Sequence, residues 1–116
     1  MSRHVISVLC AGALALFSGA ALAGGDVAAG KEKSVVCAAC HGETGDSVAP
    51  DFPKLGGQHA DYLLRALKDY KLGNRKNPIM SGMVANLTDQ DMKDLAAWFS
   101  SQTGDTLHVL PHEQKR

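Results

Sequence analysis

The chain has 116 residues, 45% of them hydrophobic, with 12 lysines and arginines against 12 acidic residues and a formal net charge of zero. This length allows one domain at most, and the balanced charge gives no indication of a nucleic-acid-binding protein, since such proteins carry strongly basic patches. With one tryptophan, two tyrosines, three phenylalanines and twelve glycines, the core is thin, and a chain this small usually needs a metal or another added element for stability.

The first 23 residues indicate a secretory signal peptide. Arg3 and His4 precede a short apolar run rich in alanine, which ends at the small-residue cleavage pattern Ala21-Leu22-Ala23. A retained membrane anchor is the alternative, but the run is short for a bilayer span. We therefore expect an exported chain that begins near Gly24 and, after cleavage, does not span a membrane.

The first helix is predicted over residues 27–41, with Asp26 as its N-cap. Gly30 lies inside this helix, where glycine costs up to about 1 kcal/mol relative to alanine. Such a cost is expected where a second helix crosses and needs the backbone close, so Gly30 predicts a helix crossing.

This helix carries the pattern Cys37-Ala38-Ala39-Cys40-His41. On a helical turn the spacing directs both thiols toward one flat partner, with the histidine next to it, and is typical of c-type haem attachment. A redox dithiol and part of a zinc site are the alternatives. The dithiol usually has a βαβ context and zinc needs further ligands, whereas the chain after residue 23 has no third cysteine.

A loop and a helix are predicted to follow. Residues 42–58 contain glycines and prolines throughout, and so long a loop in a small domain suggests that it wraps around something, such as haem. Residues 59–71 are predicted to form a helix with one apolar face, and Gly73 is predicted to end this helix. The members of this face are Leu63, Ala66, Leu67 and Tyr70.

Residues 74–87 are predicted to form a second loop, which contains Met80 and Met83. A haem held by one histidine has a second axial position, and methionine is the expected ligand for electron transfer. The residues alone indicate one of Met80 and Met83. Met92 lies on the apolar face of the next helix and is predicted to be core.

The last helix is predicted to begin after the N-cap Thr88 and to end at Gly104, with residues 105–116 as a tail. Asp89 and Asp91 complement the helix dipole. No strand is predicted. The predicted fold class is therefore all-α, with three or four short helices.

Taken together, these segments resemble the class I c-type cytochromes. The resemblance is greatest to the small bacterial periplasmic mono-haem kind, cytochrome c553-like and related to a single cytochrome c4 domain. The matching segments cover about residues 26–102 and are 36–42, 49–58, 62–64, 80–83, 87–91 and 96–99. The resemblance implies the class I cytochrome c fold over residues 24–104, with the helices around one covalently bound haem c.

Site residues follow from the resemblance. Cys37 and Cys40 match the thioether cysteines and His41 matches the proximal iron ligand. Met80 matches the distal ligand, with Met83 in reserve. Two further matches are Pro53, whose carbonyl accepts the proximal histidine Nδ1–H, and Leu55, which packs on haem. Gly30 and the pair Trp98 and Phe99 match the crossing of the first and last helices.

The resemblance also leaves points open. Spacing does not choose among Lys54, His59, Arg65 and Tyr70 as neighbours of the haem propionates. Cytochrome c4 has two such domains, whereas this chain has one Cys-x-x-Cys-His pattern, and the tail 105–116 matches nothing in the family.

The implied function is that of a periplasmic one-electron carrier, monomeric and not an enzyme. Its expected partners are a terminal oxidase, a cytochrome bc1-type complex or a dehydrogenase. One alternative is a haem subunit docked permanently to a larger oxidoreductase through residues 105–116. The other is an enzyme or gas sensor with an open iron position, which two candidate methionine ligands argue against.

Overall fold

The computed structural model describes residues 24–102, so the predicted signal peptide over 1–23 and the predicted tail over 105–116 lie outside it. These residues form helices and no strand, which confirms the all-α prediction. The helices are α1 (Val27–Lys33), α2 (Val35–His41), α3 (Ala60–Leu72), α4 (Pro78–Val84) and α5 (Asp89–Ser100). The predicted number of three or four helices was therefore wrong.

One reason is that the single helix predicted over 27–41 is divided at Ser34. Asp26 caps α1 as predicted, with its carboxylate accepting the Ala29 N–H at 2.7 Å. Ser34 is buried, and its hydroxyl donates to the Lys31 carbonyl at 2.7 Å. Serine hydroxyls that bond to the preceding turn compete with the regular helical pattern, and α2 restarts immediately afterwards at Val35.

The other reason is α4, which occupies the middle of the predicted loop 74–87. The Asn77 side chain accepts the N–H groups of Ile79 and Met80 at 3.0 and 3.1 Å, and Pro78 takes the first helical position. An Asn cap followed by proline is a favourable helix start. The prediction of a loop here was wrong, because the Asn77 cap and Pro78 start a helix within it.

The remaining two helices lie close to their predicted bounds. Helix α3 ends at Gly73, which adopts the left-handed conformation with φ of 78°. Helix α5 begins with the predicted cap Thr88, which forms a reciprocal capping box with Asp91. It ends at Ser100, before the predicted Gly104.

Helix α5 is the centre of the packing, because both α1 and α3 pack against it, while α4 packs on α3. A Cβ atom at Gly30 would overlap the Asp94 carbonyl and approach the Trp98 Cβ to 2.8 Å. The predicted close crossing at Gly30 is thus confirmed. The buried cluster between α3 and α5 comprises Leu63, Leu95, Ala96 and Phe99.

The loop between α2 and α3 is fastened at both ends. The N–H groups of Leu55 and Gly56 donate to the Gly45 carbonyl at 2.8 and 3.2 Å, and Gly57 donates to the Phe99 carbonyl at 2.9 Å. The two bonds to Gly45 close the loop on itself, and the bond from Gly57 holds its end against α5. Within residues 24–102, no helix combines the length and the apolar character needed to cross a bilayer.

Candidate functional site

The helices and the long loop enclose a cavity of about 270 Å³. Cys37 and His41 reach it from α2, Pro53 from the loop and Met80 from α4. Its walls are mainly aliphatic and aromatic. The apolar side chains that line it include Leu55, Leu63, Leu67, Leu95, Ala96 and Phe99.

His41 is the buried polar group of this cavity, with 6% of its surface exposed. Its Nδ1 lies 2.8 Å from the Pro53 carbonyl oxygen, so the contact implied by the resemblance is present. Because a carbonyl only accepts, Nδ1 is the donor of this hydrogen bond. The Phe52 ring and the imidazole form an edge-to-face pair, with the centroids 6.4 Å apart. These contacts fix the orientation of the imidazole and leave Nε2 as the ring nitrogen outside the Pro53 hydrogen bond.

The two cysteines of the pattern are half-buried free thiols. Cys37 lines the cavity and packs against the core cluster, whereas Cys40 is not among the lining residues. Burial raises the pKa of the Cys37 thiol, and the neighbouring Cys40 raises it further. Cys37 is therefore a protonated thiol at neutral pH.

The two candidate methionines differ in position. Met80 is half-buried and lines the cavity together with His41. Met83, on the same helix, is 44% exposed and is not among the lining residues. Met92 is buried with 2% exposure, which confirms its prediction as a core residue. The residues alone did not choose between Met80 and Met83 as the distal ligand, and the position of Met80 at the cavity favours Met80.

Arg75 lines the cavity and was missed by the sequence analysis. Its guanidinium lies over the Tyr70 ring at 4.9 Å from the centroid. The backbone N–H of Arg75 donates to the Asp69 carbonyl at 3.1 Å. The sequence signal that could have identified Arg75 is a positively charged residue between the end of α3 and the Asn77 cap. Of the four residues that spacing could not separate, Lys54 and Tyr70 line the cavity, and His59 and Arg65 do not.

These residues fit a covalently attached haem. The lining combines a thiol of the Cys-x-x-Cys pair, an imidazole with a free Nε2 and a thioether within mostly apolar walls. Thiols, imidazole and thioether are the donors that c-type haem uses. Lys54 and Arg75 add positive charge to the same lining, which suits a group with acidic substituents.

Comparison with known proteins agrees with this assignment. The sequence model of the family described as Cytochrome c matches residues 27–103. The chain is 48% identical over 102 residues to cytochrome c4 of Pseudomonas aeruginosa, covering 88% of this chain and 49% of that protein. It is 46% identical over 81 residues to cytochrome c-554(548) of Halomonas halodenitrificans, covering 67% of this chain and 98% of that protein.

A solved structure is similar as well. The crystal structure of reduced recombinant cytochrome c4 from Pseudomonas stutzeri superposes with a TM-score of 0.66 at 50% identity, covering 69% of this chain and 47% of that one. The chain thus spans about half the length of the cytochrome c4 relatives that it matches. The fold is the class I cytochrome c fold and the cofactor is covalently bound haem c, and the chain belongs to the cytochrome c family.

Proposed function

We propose that the protein is a periplasmic one-electron carrier, with His41 and Met80 as the axial ligands of one haem c and Cys37 and Cys40 as its thioether cysteines. The observation that carries the proposal is the joint position of an imidazole, a thioether and a thiol on one apolar cavity. Residues 1–23 would be the cleaved signal peptide, 24–104 the cytochrome domain and 105–116 a tail.

Haem c, when bound, supplies the one-electron Fe(III)/Fe(II) couple. The chain's part is to hold the ligands and to exclude water. Pro53 fixes the tautomer and the ring orientation of His41, and a hydrogen-bonded imidazole is a more basic ligand. The Met80 thioether would be the second iron ligand, and such a ligand would raise the reduction potential and leave no open site for dioxygen. Leu55 and the other apolar walls lower the local dielectric.

Two positively charged side chains line the cavity, and we propose a role for both. Arg75 is held over Tyr70, and Lys54 lies in the loop after Pro53. We assign both to the side of the cavity that receives the haem propionates, because guanidinium and ammonium groups stabilise carboxylates. Arg75 is the more specific of the two, since its stacking restricts its position.

The partners remain those expected of an electron carrier: a dehydrogenase as donor, and a bc1-type complex or a terminal oxidase. A dehydrogenase is supported by a relative from Stutzerimonas stutzeri, 40% identical over 79 residues, that is named thiosulfate dehydrogenase electron acceptor. Redox encounters use small contact areas, so transient association is expected.

The proposal is tested by voltammetry of the holoprotein together with carbon monoxide titration of its reduced form. A carrier with both axial positions filled gives one reversible one-electron wave and no carbon monoxide complex. Binding of carbon monoxide to the unmodified reduced protein would instead indicate an open iron position, as in an enzyme or gas sensor.

Permanent docking to a larger oxidoreductase is the second candidate. It is favoured by the observation that the chain spans about half of its cytochrome c4 relatives, whose haem domain therefore works within a longer protein. In this candidate residues 105–116 form the docking segment. Deletion of these residues would abolish co-purification with the partner complex, and unchanged co-purification would exclude this role.

A further inference from the structure

The loop that connects His41 to Pro53 contains an unusual backbone conformation. Ser47 has φ of +69° and is the one residue other than glycine with positive φ within residues 24–102. The left-handed region is costly for a residue with a Cβ, because the Cβ comes too close to the following carbonyl oxygen. Such strain persists only where the surrounding contacts enforce it, and it is most frequent at functional sites.

The backbone of this residue is tied to the end of α2. The Ser47 N–H donates to the His41 carbonyl at 2.7 Å, and the next N–H, of Val48, donates to the Cys40 carbonyl at 3.2 Å. The turn thus folds back directly onto the residues of the Cys-x-x-Cys-His pattern.

The side chain of Ser47 reaches in the other direction along the loop. Its Oγ lies 2.6 Å from the Ala49 carbonyl oxygen and 2.7 Å from the Phe52 carbonyl oxygen, and it accepts the Ala49 N–H at 3.3 Å. A hydroxyl has a single hydrogen, so the two carbonyls share it. Ser47 therefore connects the end of α2 to the residue before Pro53.

The connection to His41 is short. The Phe52 carbonyl belongs to the peptide that precedes Pro53, and this peptide is planar. The proline ring fixes the next torsion, φ, near −65°. Only ψ of Pro53 remains free between the group that Ser47 holds and the Pro53 carbonyl, which lies 2.8 Å from the His41 Nδ1.

We propose that Ser47 is a positioning residue for the iron ligand: its hydroxyl fixes the Pro53 carbonyl on the His41 Nδ1–H and so sets the donor strength of the imidazole. This inference rests on the proposed function, in which His41 is the axial ligand. Loss of the hydroxyl weakens the Nδ1–H bond and makes the imidazole less basic. A less basic ligand stabilises Fe(III) less, so the reduction potential rises.

The test compares three variants of the holoprotein. Ser47→Gly removes the hydroxyl and accepts the positive φ without strain, so it keeps the fold. Ser47→Ala removes the hydroxyl alone. Thr44→Ala is the matched control, because the Thr44 hydroxyl lies in the same loop but donates to the exposed Asp46 carboxylate at 2.8 Å.

Two quantities are measured: the reduction potential, and the exchange rate of the His41 Nδ1–H by NMR of the ferric protein. Both Ser47 variants are expected to show a raised potential, and exchange that is faster by several-fold, up to about tenfold, as for the loss of one hydrogen bond. Thr44→Ala is expected to match the unmodified protein in both quantities.

The proposal is overturned if the Ser47 variants unfold more easily but keep the potential and the exchange rate of the control, since Ser47 would then serve the fold alone. Failure of the proposed function is seen separately, in the unmodified protein. If its His41 ring protons carry no hyperfine shift, His41 is not the iron ligand, and both proposals fail.

Discussion

Arg75 lines the cavity, and its guanidinium lies over the Tyr70 ring. This stacking restricts where the positive charge of Arg75 can lie. A fixed positive charge near the iron disfavours Fe(III) relative to Fe(II). We predict that Arg75→Gln lowers the reduction potential, by an amount on the order of 1 kcal/mol at an effective dielectric constant of about 20.

Lys76→Gln is the matched control, because it removes the same charge from the next residue, which is exposed like Arg75 but does not line the cavity. The reduction potential should therefore change less in Lys76→Gln than in Arg75→Gln. Equal shifts in the two variants, measured by voltammetry at one ionic strength, would contradict the position that we give to Arg75.

Gly30 allows a second prediction at the scale of one residue. Because a Cβ here would overlap the Asp94 carbonyl and crowd Trp98, Gly30→Ala should lower the free energy of unfolding by about 1–3 kcal/mol. Gly82 lies in α4, and a Cβ there meets no atom within 4 Å. Gly82→Ala should therefore leave stability unchanged or raise it by up to about 1 kcal/mol. Guanidinium unfolding of both holoproteins measures the contrast, and two equal losses would refute the crossing argument.

Helices α1 and α5 are also joined by a buried carboxylate. Asp94 is 3% exposed and accepts the Asp26 N–H at 2.8 Å, the Lys33 ammonium at 2.5 Å and the Gln90 amide at 2.8 Å. Lys33 also pairs with Asp91 at 2.8 Å. The hydrogen bond from Lys33 holds the pKa of Asp94 below its ordinary value, and it lowers the pKa of Asp91 as well.

The sign of the pH dependence follows from these shifts. Carboxylates with lowered pKa stabilise the fold above their ordinary pKa near 3.8, and this stability is lost as the pH falls through the folded-state value. The pKa of Lys33 is raised by Asp91 and Asp94, so its contribution is present below the ordinary value of 10.5 and is lost as the pH rises above it.

We predict that Asp94→Asn lowers the free energy of unfolding by about 1–3 kcal/mol at pH 7, because the buried side chain at this position loses the negative charge that accepts the Lys33 hydrogen bond. The difference from the unmodified protein should shrink as the pH falls below the ordinary value of 3.8, where the carboxyl of the unfolded chain protonates first, and should be lost as the pH falls through the lowered folded-state pKa of Asp94. Asp89→Asn is the control, since the pair of Asp89 with Lys68 is exposed and should contribute at most about 1 kcal/mol. Unfolding curves at several pH values test this, and a constant difference down to pH 2 would contradict it.

The elements differ in how far the sequence could predict them. The caps Asp26 and Thr88 and the terminator Gly73 act through neighbouring residues, so a local pattern identified them. The break at Ser34 coincides with the burial of this residue and with its hydrogen bond to the Lys31 carbonyl, and no proline or glycine marks it. Helix α4 does carry a local signal, Asn77-Pro78, in which a capping side chain precedes a proline at the first helical position.

The site was predictable in type but not in arrangement. The Cys-x-x-Cys-His pattern and the resemblance identified the cofactor, because its chemistry needs those residues at that spacing. That Met80 and not Met83 lies at the cavity depends on how α4 packs against α3, which no spacing rule contains. The place of Arg75 depends on its stacking with a ring on another element.

At the scale of the whole molecule, the charge balance governs encounters with partners. The 12 basic and 12 acidic residues cancel, so the long-range steering that raises association rates is small. We predict that the rate of electron exchange with a redox partner changes little between low and physiological salt. A steep fall in the stopped-flow rate with added salt would indicate a charged docking face instead.

In the proposed function, His41 and Met80 together hold the iron of an electron carrier. The most direct test is the weak near-infrared band of Met–Fe(III) coordination, recorded for the oxidised protein and for Met80→Ala and Met83→Ala. We predict that the band is present in the unmodified protein, is lost in Met80→Ala and is retained in Met83→Ala. Loss of the band in Met83→Ala alone, or its absence from the unmodified protein, would contradict the account.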